Sequence, residues 1–165
     1  MLIYLDSSMI VKRYIQEEGT SFSDFLFDRA SQGYLILAFN LVNIGEVLGV
    51  FDQYLKRNWI DQETFDKMMT KFIDETLRLL RINQLIILPT LSSLQMDAWT
   101  YVLKSRLYIV DAIQVSSGKS LEANYFCSGD KDLTAIAKSS DLEVYQPEIE
   151  QSLIQQIEKE ISGAK

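Results

Sequence analysis

The chain alternates short apolar runs with longer segments in which apolar residues recur every three or four positions. The short runs predict strands: Leu2–Leu5, Tyr34–Phe39, Leu85–Leu88, Asn124–Cys127 and Leu142–Tyr145. The periodic segments predict helices: Met9–Gln16, one that starts at Gly19-Thr20-Ser21 and runs to about Ser31, one capped by Asn40 that carries Val42 to Phe51, Asp61–Arg81, Leu91–Lys104, Val110–Ser120 and Asp130–Lys138. Strands separated by helices predict an α/β fold with a mostly parallel sheet and helices on both of its faces.

A last helical stripe follows Pro147, with Ile149, Leu153, Ile157 and Ile161 at four-residue spacing. This stripe can pack on its own domain or on a second subunit, and the pattern fits both. We therefore predict one domain over residues 1–147 and an amphipathic helical tail over residues 148–165. The sequence assigns no role to residues 59–81.

Four carboxylates stand among apolar residues: Asp6, Glu46, Asp111 and Asp130. An ionised carboxylate in apolar surroundings costs several kcal/mol or more unless it is paired or coordinated. Asp6 and Asp130 directly follow predicted strands, and ligands of parallel sheets bind beyond the carboxyl ends of strands. A shared bound cation is the simplest explanation for all four.

Each acid also has a purely structural interpretation. Asp6 and Asp130 are suited to cap the helices that follow them. Asp111 lies at a predicted helix start and can cap it as well, and Glu46 can be a solvated helical residue. Capping and metal binding do not exclude each other, so both interpretations stay open here.

Other polar residues nearby can support such a site. Asp132 suits the first turn of a helix, where an acid complements the helix dipole. Hydroxyl groups that can bind the carboxylates, metal-bound water or the local backbone belong to Ser7, Ser8 and Ser128. Five cations are candidates for phosphate contacts, or else solvated surface residues: Lys12, Arg13, Arg106, Lys119 and Lys131.

The composition removes several classes of function. The chain has no histidine, which excludes catalysis by Ser-His-Asp or Cys-His groups and most protein-built zinc sites. The single cysteine, Cys127, is predicted to be a buried thiol. A net charge of −7 argues against gripping nucleic acid through a broadly basic surface. No apolar run is long enough to span a membrane, and we expect a cytoplasmic protein.

Taken together, YLDSSMIVKRYIQEEGT, NLVNIGEVL and IVDAIQVSSGKSLEANYFCSGDKDLTAIAKSSDLEVYQP resemble the PIN domain family, in particular the VapC-like toxin ribonucleases of VapBC toxin–antitoxin pairs. The resemblance spans residues 1–147. It implies a three-layer α/β/α sandwich in which the four acids hold Mg²⁺ or Mn²⁺ and hydrolyse RNA phosphodiester bonds. It also implies a cognate antitoxin and a homodimer. Gln114 stands where many members of the family have histidine.

Within this resemblance, Asp6, Asp111 and Asp130 are predicted metal ligands, direct or through water. Glu46 is predicted to orient the attacking water or to hold a second ion. The alternatives are an RNA-processing nuclease without an antitoxin and a non-catalytic PIN scaffold that binds RNA or protein. A phosphotransfer receiver domain is disfavoured, because a single Asp6 followed by two serines replaces the adjacent acid pair that its first strand needs.

Overall fold

A computed structural model describes residues 1–145 and 150–163. The elements run in the order β1 (Leu2–Leu5), α1 (Ser7–Val11), α2 (Thr20–Ser31), β2 (Ile36–Asn40), α3 (Leu41–Lys56), α4 (Gln62–Arg81), β3 (Leu85–Leu88), α5 (Ser92–Ser105), α6 (Ile109–Ser120), β4 (Tyr125–Cys127), α7 (Lys131–Ser139) and α8 (Glu150–Gly163). Among the described helices, none is long and apolar enough to cross a lipid bilayer.

The sheet has the order β3-β2-β1-β4, and all three pairings are parallel. Side chains alternate across it with period two. Ile3 and Leu5 face a core formed with α1 to α4 and α8. Tyr4 and Phe126 stack on the opposite face, with ring centroids 5.3 Å apart, and pack with residues of α6 and α7. Both faces are covered, which confirms the predicted α/β/α layering.

The predicted strand Leu142–Tyr145 is reduced, within the described residues, to a single parallel bridge between Val144 and Phe126. Two backbone hydrogen bonds hold it: Phe126 N donates to Glu143 O at 2.7 Å, and Tyr145 N donates to Phe126 O at 3.0 Å. Because β4 itself spans only three residues, it offers little edge for a fifth strand. The predicted first helix is also shorter, since it ends at Val11 and continues as turns.

The apolar stripe of the tail packs against its own domain. Leu153 and Ile157 are buried in the same cluster as Phe22 and Leu26, and Glu158 pairs with Arg29. Ile149 and the predicted domain boundary at residues 147 and 148 lie outside the described residues. The tail therefore completes one layer of the sandwich.

Cys127 is fully buried in β4. Burial raises the pKa of its thiol far above the ordinary value, and the nearby Asp6 charge raises it further. A thiol with so high a pKa is unreactive at neutral pH, in keeping with the structural role expected for it.

Candidate active site

Asp6 lies at the carboxyl end of β1 and is only 4% exposed. Its carboxylate accepts hydrogen bonds from Ser8 Oγ at 2.6 Å, Met9 N at 3.0 Å and Ser128 Oγ at 2.6 Å. Burial raises the pKa of Asp6, the hydrogen bonds from Ser128, Ser8 and Met9 oppose this rise, and the charge of Asp130 adds to it. Asp6 is therefore the cap of α1 and also a member of an acidic group.

The pairing of β1 with β4 brings Asp130 to the same edge of the sheet. Asp6 N donates to Cys127 O at 3.0 Å, and Gly129 N donates to Ser8 Oγ at 2.8 Å, so the ends of both strands are joined. Asp130 caps α7 by accepting hydrogen bonds from the backbone of residues 132 and 133. Both of its capping bonds use Oδ1, and the described contacts leave Oδ2 available.

Glu46 and Asp111 approach from helices. Glu46 is half-buried on α3, and this burial raises its pKa. A hydrogen bond from Ser7 lowers the pKa of Glu46, and the charges of Asp6 and Asp111 raise it. Asp111 lies in the first turn of α6, whose N-cap is Tyr108, so the capping interpretation of Asp111 is wrong. Burial raises the pKa of Asp111, and the charge of Asp130 raises it further.

The charges of the four acids influence one another in a closed circuit. Asp6 interacts with Asp130, Asp130 with Asp111, Asp111 with Glu46, and Glu46 with Asp6. They come from four separate elements of the fold, at the carboxyl edge of the central strands. Like charges gathered in this way are unfavourable without a counter-ion, and raised pKa values clustered in a cleft are typical of functional sites.

The donor set is suited to a hard divalent cation. In the described part of the chain, no three Asp, Glu, His or Cys side chains lie close enough to hold one ion together. Asp6 also commits both oxygens to hydrogen bonds. Mg²⁺ prefers oxygen ligands, keeps several waters and often binds through one or two carboxylates. The residues thus fit a hydrated Mg²⁺ or Mn²⁺ held partly through water, and not a cage of direct ligands.

A buried polar chain reaches Glu46 from the interior. Gln114 Nε2 donates to Glu46 Oε2 at 3.1 Å, and Asn43 Nδ2 donates to Gln114 Oε1 at 2.8 Å. Asn43 Oδ1 in turn accepts from Asn40 N at 2.8 Å and from Tyr4 Oη at 3.3 Å. Gln114 is 1% exposed, and Asn43, Asn40 and Tyr4 are fully buried.

The order of donors and acceptors along this chain of hydrogen bonds is fixed at its inner end, at Asn40. The backbone N–H of Asn40 can only donate, so Asn43 must turn its oxygen toward it and its NH₂ toward Gln114. Gln114 then presents its own NH₂ to Glu46. The interior therefore supplies a donor to Glu46, and a donor favours the ionised carboxylate. The Gln114 amide thus provides a polar partner at the position where the resemblance led us to expect histidine.

A cleft of 460 Å³ opens beside the acids. Asp111, Asp130 and Asp132 line it together with Arg106 and Tyr108. Asp132 is a first-turn acid of α7, as predicted. Arg106 makes no ion pair or side-chain hydrogen bond within residues 1–145 and 150–163, so its charge is available to a ligand in the cleft.

The other predicted phosphate contacts have different surroundings. Lys12 Nζ donates to Glu17 Oε1 at 3.0 Å and to the carbonyl of residue 18 at 2.7 Å. Its stem lies beside Gly129, where an added Cβ would approach Lys12 Cε to 3.2 Å. Lys119 lines a separate cleft between α5 and α6. Lys131 is exposed at the start of α7.

Arg13 is turned away from the acids. Its guanidinium pairs with Asp24 at 2.7 Å, Asp28 at 3.1 Å and Glu75 at 2.9 Å. Glu75 is buried, and it also accepts a hydrogen bond from Tyr14 Oη at 3.0 Å. Arg13 therefore ties the turn after α1 to α2 and α4, and we no longer include it among the phosphate contacts.

Sequence reasoning missed the polar chain and the cleft residue Tyr108. One signal was present, because Asn40, Asn43 and Glu46 recur at three-residue spacing and so lie along one side of a helix. The partners of that side, Gln114 and Tyr4, are distant along the chain and carry no local signal.

The sequence matches no protein-family model and no curated protein. The fold is similar to solved structures of other proteins. VapC20 of Mycobacterium tuberculosis, a sarcin-ricin loop cleaving toxin, superposes with a TM-score of 0.59 at 12% identity, covering 81% of this chain and 94% of that one. FitAcB of Neisseria gonorrhoeae superposes with a TM-score of 0.61 at 14% identity, covering 88% of this chain and 97% of that one. PAE2754 of Pyrobaculum aerophilum superposes with a TM-score of 0.65 at 12% identity, covering 96% of this chain and 90% of that one.

These superpositions span most of the chain in each case, and the neighbours are PIN-domain proteins. The protein therefore has a PIN-like fold, as the motifs predicted. At 12–14% identity the likeness shows the fold alone, and the function is argued from the site.

Proposed function

We propose that this protein is a metal-dependent endoribonuclease and the toxin of a toxin–antitoxin pair. The observation that carries the proposal is the placement of four mutually interacting carboxylates, Asp6, Glu46, Asp111 and Asp130, at the carboxyl edge of the parallel sheet, where the pairing of β1 with β4 joins the ends of the strands. A PIN-like fold that presents four acids there, next to an open cleft, is suited to metal-assisted hydrolysis of phosphodiesters.

In this proposal Asp6, Asp111 and Asp130 hold Mg²⁺ or Mn²⁺, in part through water, and Glu46 orients the attacking water or holds a second ion. When bound, the cation supplies an acidified water and offsets negative charge on the phosphate. Gln114 and Ser7 hold the Glu46 carboxylate in place. The products carry 5′-phosphate and 3′-hydroxyl ends, because water and not the ribose 2′-hydroxyl is the nucleophile.

The activity is tested by incubating the purified protein with single-stranded RNA in Mg²⁺ or Mn²⁺, with and without EDTA. Cleavage should require the metal, and Asp6→Asn or Asp111→Asn should abolish it. Asp97→Asn is the matched control, since Asp97 is an exposed acid on α5 outside the circuit and its loss should leave cleavage intact. Full cleavage by Asp6→Asn, with contamination excluded, rejects the proposal.

The toxin role has a separate test. Expression of the wild-type chain in a bacterial host should arrest growth, Asp111→Asn should not, and co-expression of a short neighbouring reading frame should restore growth. The similar VapBC2 structure from Rickettsia felis is bound to a DNA fragment from its promoter, which supports a search for a DNA-binding antitoxin. RNA cleavage without growth arrest favours an RNA-processing nuclease, and RNA binding without cleavage favours a non-catalytic scaffold.

We also propose a homodimer. The apolar stripe of the tail, which first suggested a dimer, packs against its own domain, so the interface between the two subunits must lie elsewhere. Met96, Trp99 and Leu103 form an exposed apolar face along α5, at helical spacing. Light scattering should give about twice the 19.0 kDa chain mass, and Trp99→Glu should reduce it to the monomer. A monomeric wild type at high concentration rejects the dimer, and a dimeric Trp99→Glu rejects this face.

A further inference from the structure

Tyr108 is unusually exposed for a residue that lines a cleft. It stands at the N-cap of α6, one helical turn before Asp111, and 84% of it is exposed. Within residues 1–145 and 150–163 its ring makes no aromatic contact and its hydroxyl makes no hydrogen bond. An aromatic face held in the open beside a polar site offers a stacking surface.

Arg106 stands two residues earlier, in the short connection between α5 and α6. Its backbone is left-handed, with φ 56° and ψ 29°, a conformation that non-glycine residues seldom adopt. Of the residues that line the acid cleft, Arg106 carries the positive charge and Asp111, Asp130 and Asp132 carry the negative charges. The cleft thus places one free guanidinium beside a group of carboxylates.

We propose that Tyr108 and Arg106 form a nucleotide-binding subsite, in which the Tyr108 ring stacks on an unpaired base and Arg106 binds a neighbouring phosphate of single-stranded RNA. The subsite rests on the proposed nuclease function and deepens it. Every base has a π-face that stacks on aromatic side chains, and only unpaired bases expose it. The acids and the net charge of −7 repel phosphate, so Arg106 supplies a local attraction that the bulk charge does not.

The composition of the cleft favours RNA over an apolar protein partner. Leu107 and Ile136 line it beside Tyr108 and suit the apolar surfaces of base and ribose. The carboxylates in the same cleft would have to be desolvated against an apolar protein surface, at high cost. A nucleic-acid strand with a hydrated backbone leaves them in contact with water.

The test measures equilibrium binding of a fluorescein-labelled single-stranded RNA decamer by anisotropy in EDTA, where metal-dependent cleavage cannot proceed. Tyr108→Ala should weaken binding roughly 5- to 100-fold, the effect of losing one stacked base. Tyr108→Phe and Tyr108→Trp should bind as wild type, because the ring and not the hydroxyl makes the contact. The same RNA in a duplex should bind weakly to all four proteins.

Arg106→Gln should lower the slope of log affinity against log salt by about 0.7, the value for one phosphate contact on a single strand. Arg81→Gln is its matched control, because Arg81 is exposed at the end of α4, near the opposite edge of the sheet, and the slope should not change.

The outcomes separate the subsite from the proposed function. RNA binding that is unchanged in Tyr108→Ala, or equal binding of duplex and single strand, overturns the subsite alone. The proposed nuclease function would still hold if the wild type cleaves RNA in a metal-dependent way. A wild type that neither binds nor cleaves RNA overturns both. If Tyr108→Ala instead lowers the mass measured by light scattering, Tyr108 belongs to a protein interface and the subsite is wrong.

Discussion

Gln114 provides a sharp test of how the interior of this protein supports its candidate site. The change Gln114→Leu keeps the approximate volume and removes two hydrogen bonds, to Glu46 at 3.1 Å and from Asn43 at 2.8 Å. It leaves Asn43 Nδ2 as a fully buried donor without a partner, which costs about 1–3 kcal/mol. The lost bond to the Glu46 carboxylate adds to this, although water can replace part of it because Glu46 is half-exposed.

We therefore expect Gln114→Leu to lower the free energy of unfolding by about 2–4 kcal/mol. For a domain of this size, that corresponds to a fall in melting temperature of roughly 5–15 °C. The measurement is urea or thermal denaturation in EDTA. Gln53→Leu is the matched control, since Gln53 is exposed on α3, and it should change stability by less than about 0.5 kcal/mol.

A functional readout distinguishes orientation of Glu46 from mere packing. The donor favours ionised Glu46, so its removal should raise the pKa of Glu46 and move the acidic limb of the pH profile of RNA cleavage to higher pH. Gln114→Glu should shift this limb further, because it adds a negative charge beside Glu46 while still accepting from Asn43. A Gln114→Leu protein that unfolds within 1 kcal/mol of wild type and keeps the wild-type pH profile would refute this reasoning.

Three further predictions concern stability. In EDTA, Asp111→Asn should melt at a higher temperature than wild type, because it removes one of the four mutually repelling acids and Asp111 makes no described capping bond. Mn²⁺ should raise the melting temperature of wild type more than that of Asp111→Asn. A lower melting temperature for Asp111→Asn in EDTA contradicts the shared site. The pKa of Asp111 is raised in the folded state, so the native state binds more protons and this group's destabilising effect should grow as pH rises from about 4 through the folded pKa. The difference in stability between wild type and Asp111→Asn in EDTA should accordingly widen from about pH 4 to pH 7.5, and a constant difference contradicts the assignment. Glu75→Ala should cost about 1–3 kcal/mol in urea denaturation, because it leaves the Tyr14 hydroxyl without its acceptor and removes one of the three carboxylates that pair with Arg13. Arg78→Gln, at the exposed side of the same group, should cost under about 1 kcal/mol.

Local features of the sequence were sufficient to place most elements of the fold. The boundaries of β1 and β3 agree with the predicted runs, and Asn40 and Asp130 cap helices as their side chains suit them to do. These features depend on hydrophobic period and on short-range hydrogen bonds, which act between residues close along the chain. The acids could likewise be singled out, because a carboxylate within an apolar run is visible in the sequence itself.

Tertiary structure decided what these residues contact. Only the pairing of β1 with β4 brings Asp6 to Asp130, and only the packing of α6 against the sheet and α3 brings Gln114 to Glu46. The surroundings of Arg13 are likewise set by the tertiary structure. The sequence predicts a phosphate contact there, but in the fold Arg13 pairs with Glu75 on α4. Each of these contacts joins residues dozens of positions apart, so it depends on strand order and layer packing, which no local pattern encodes.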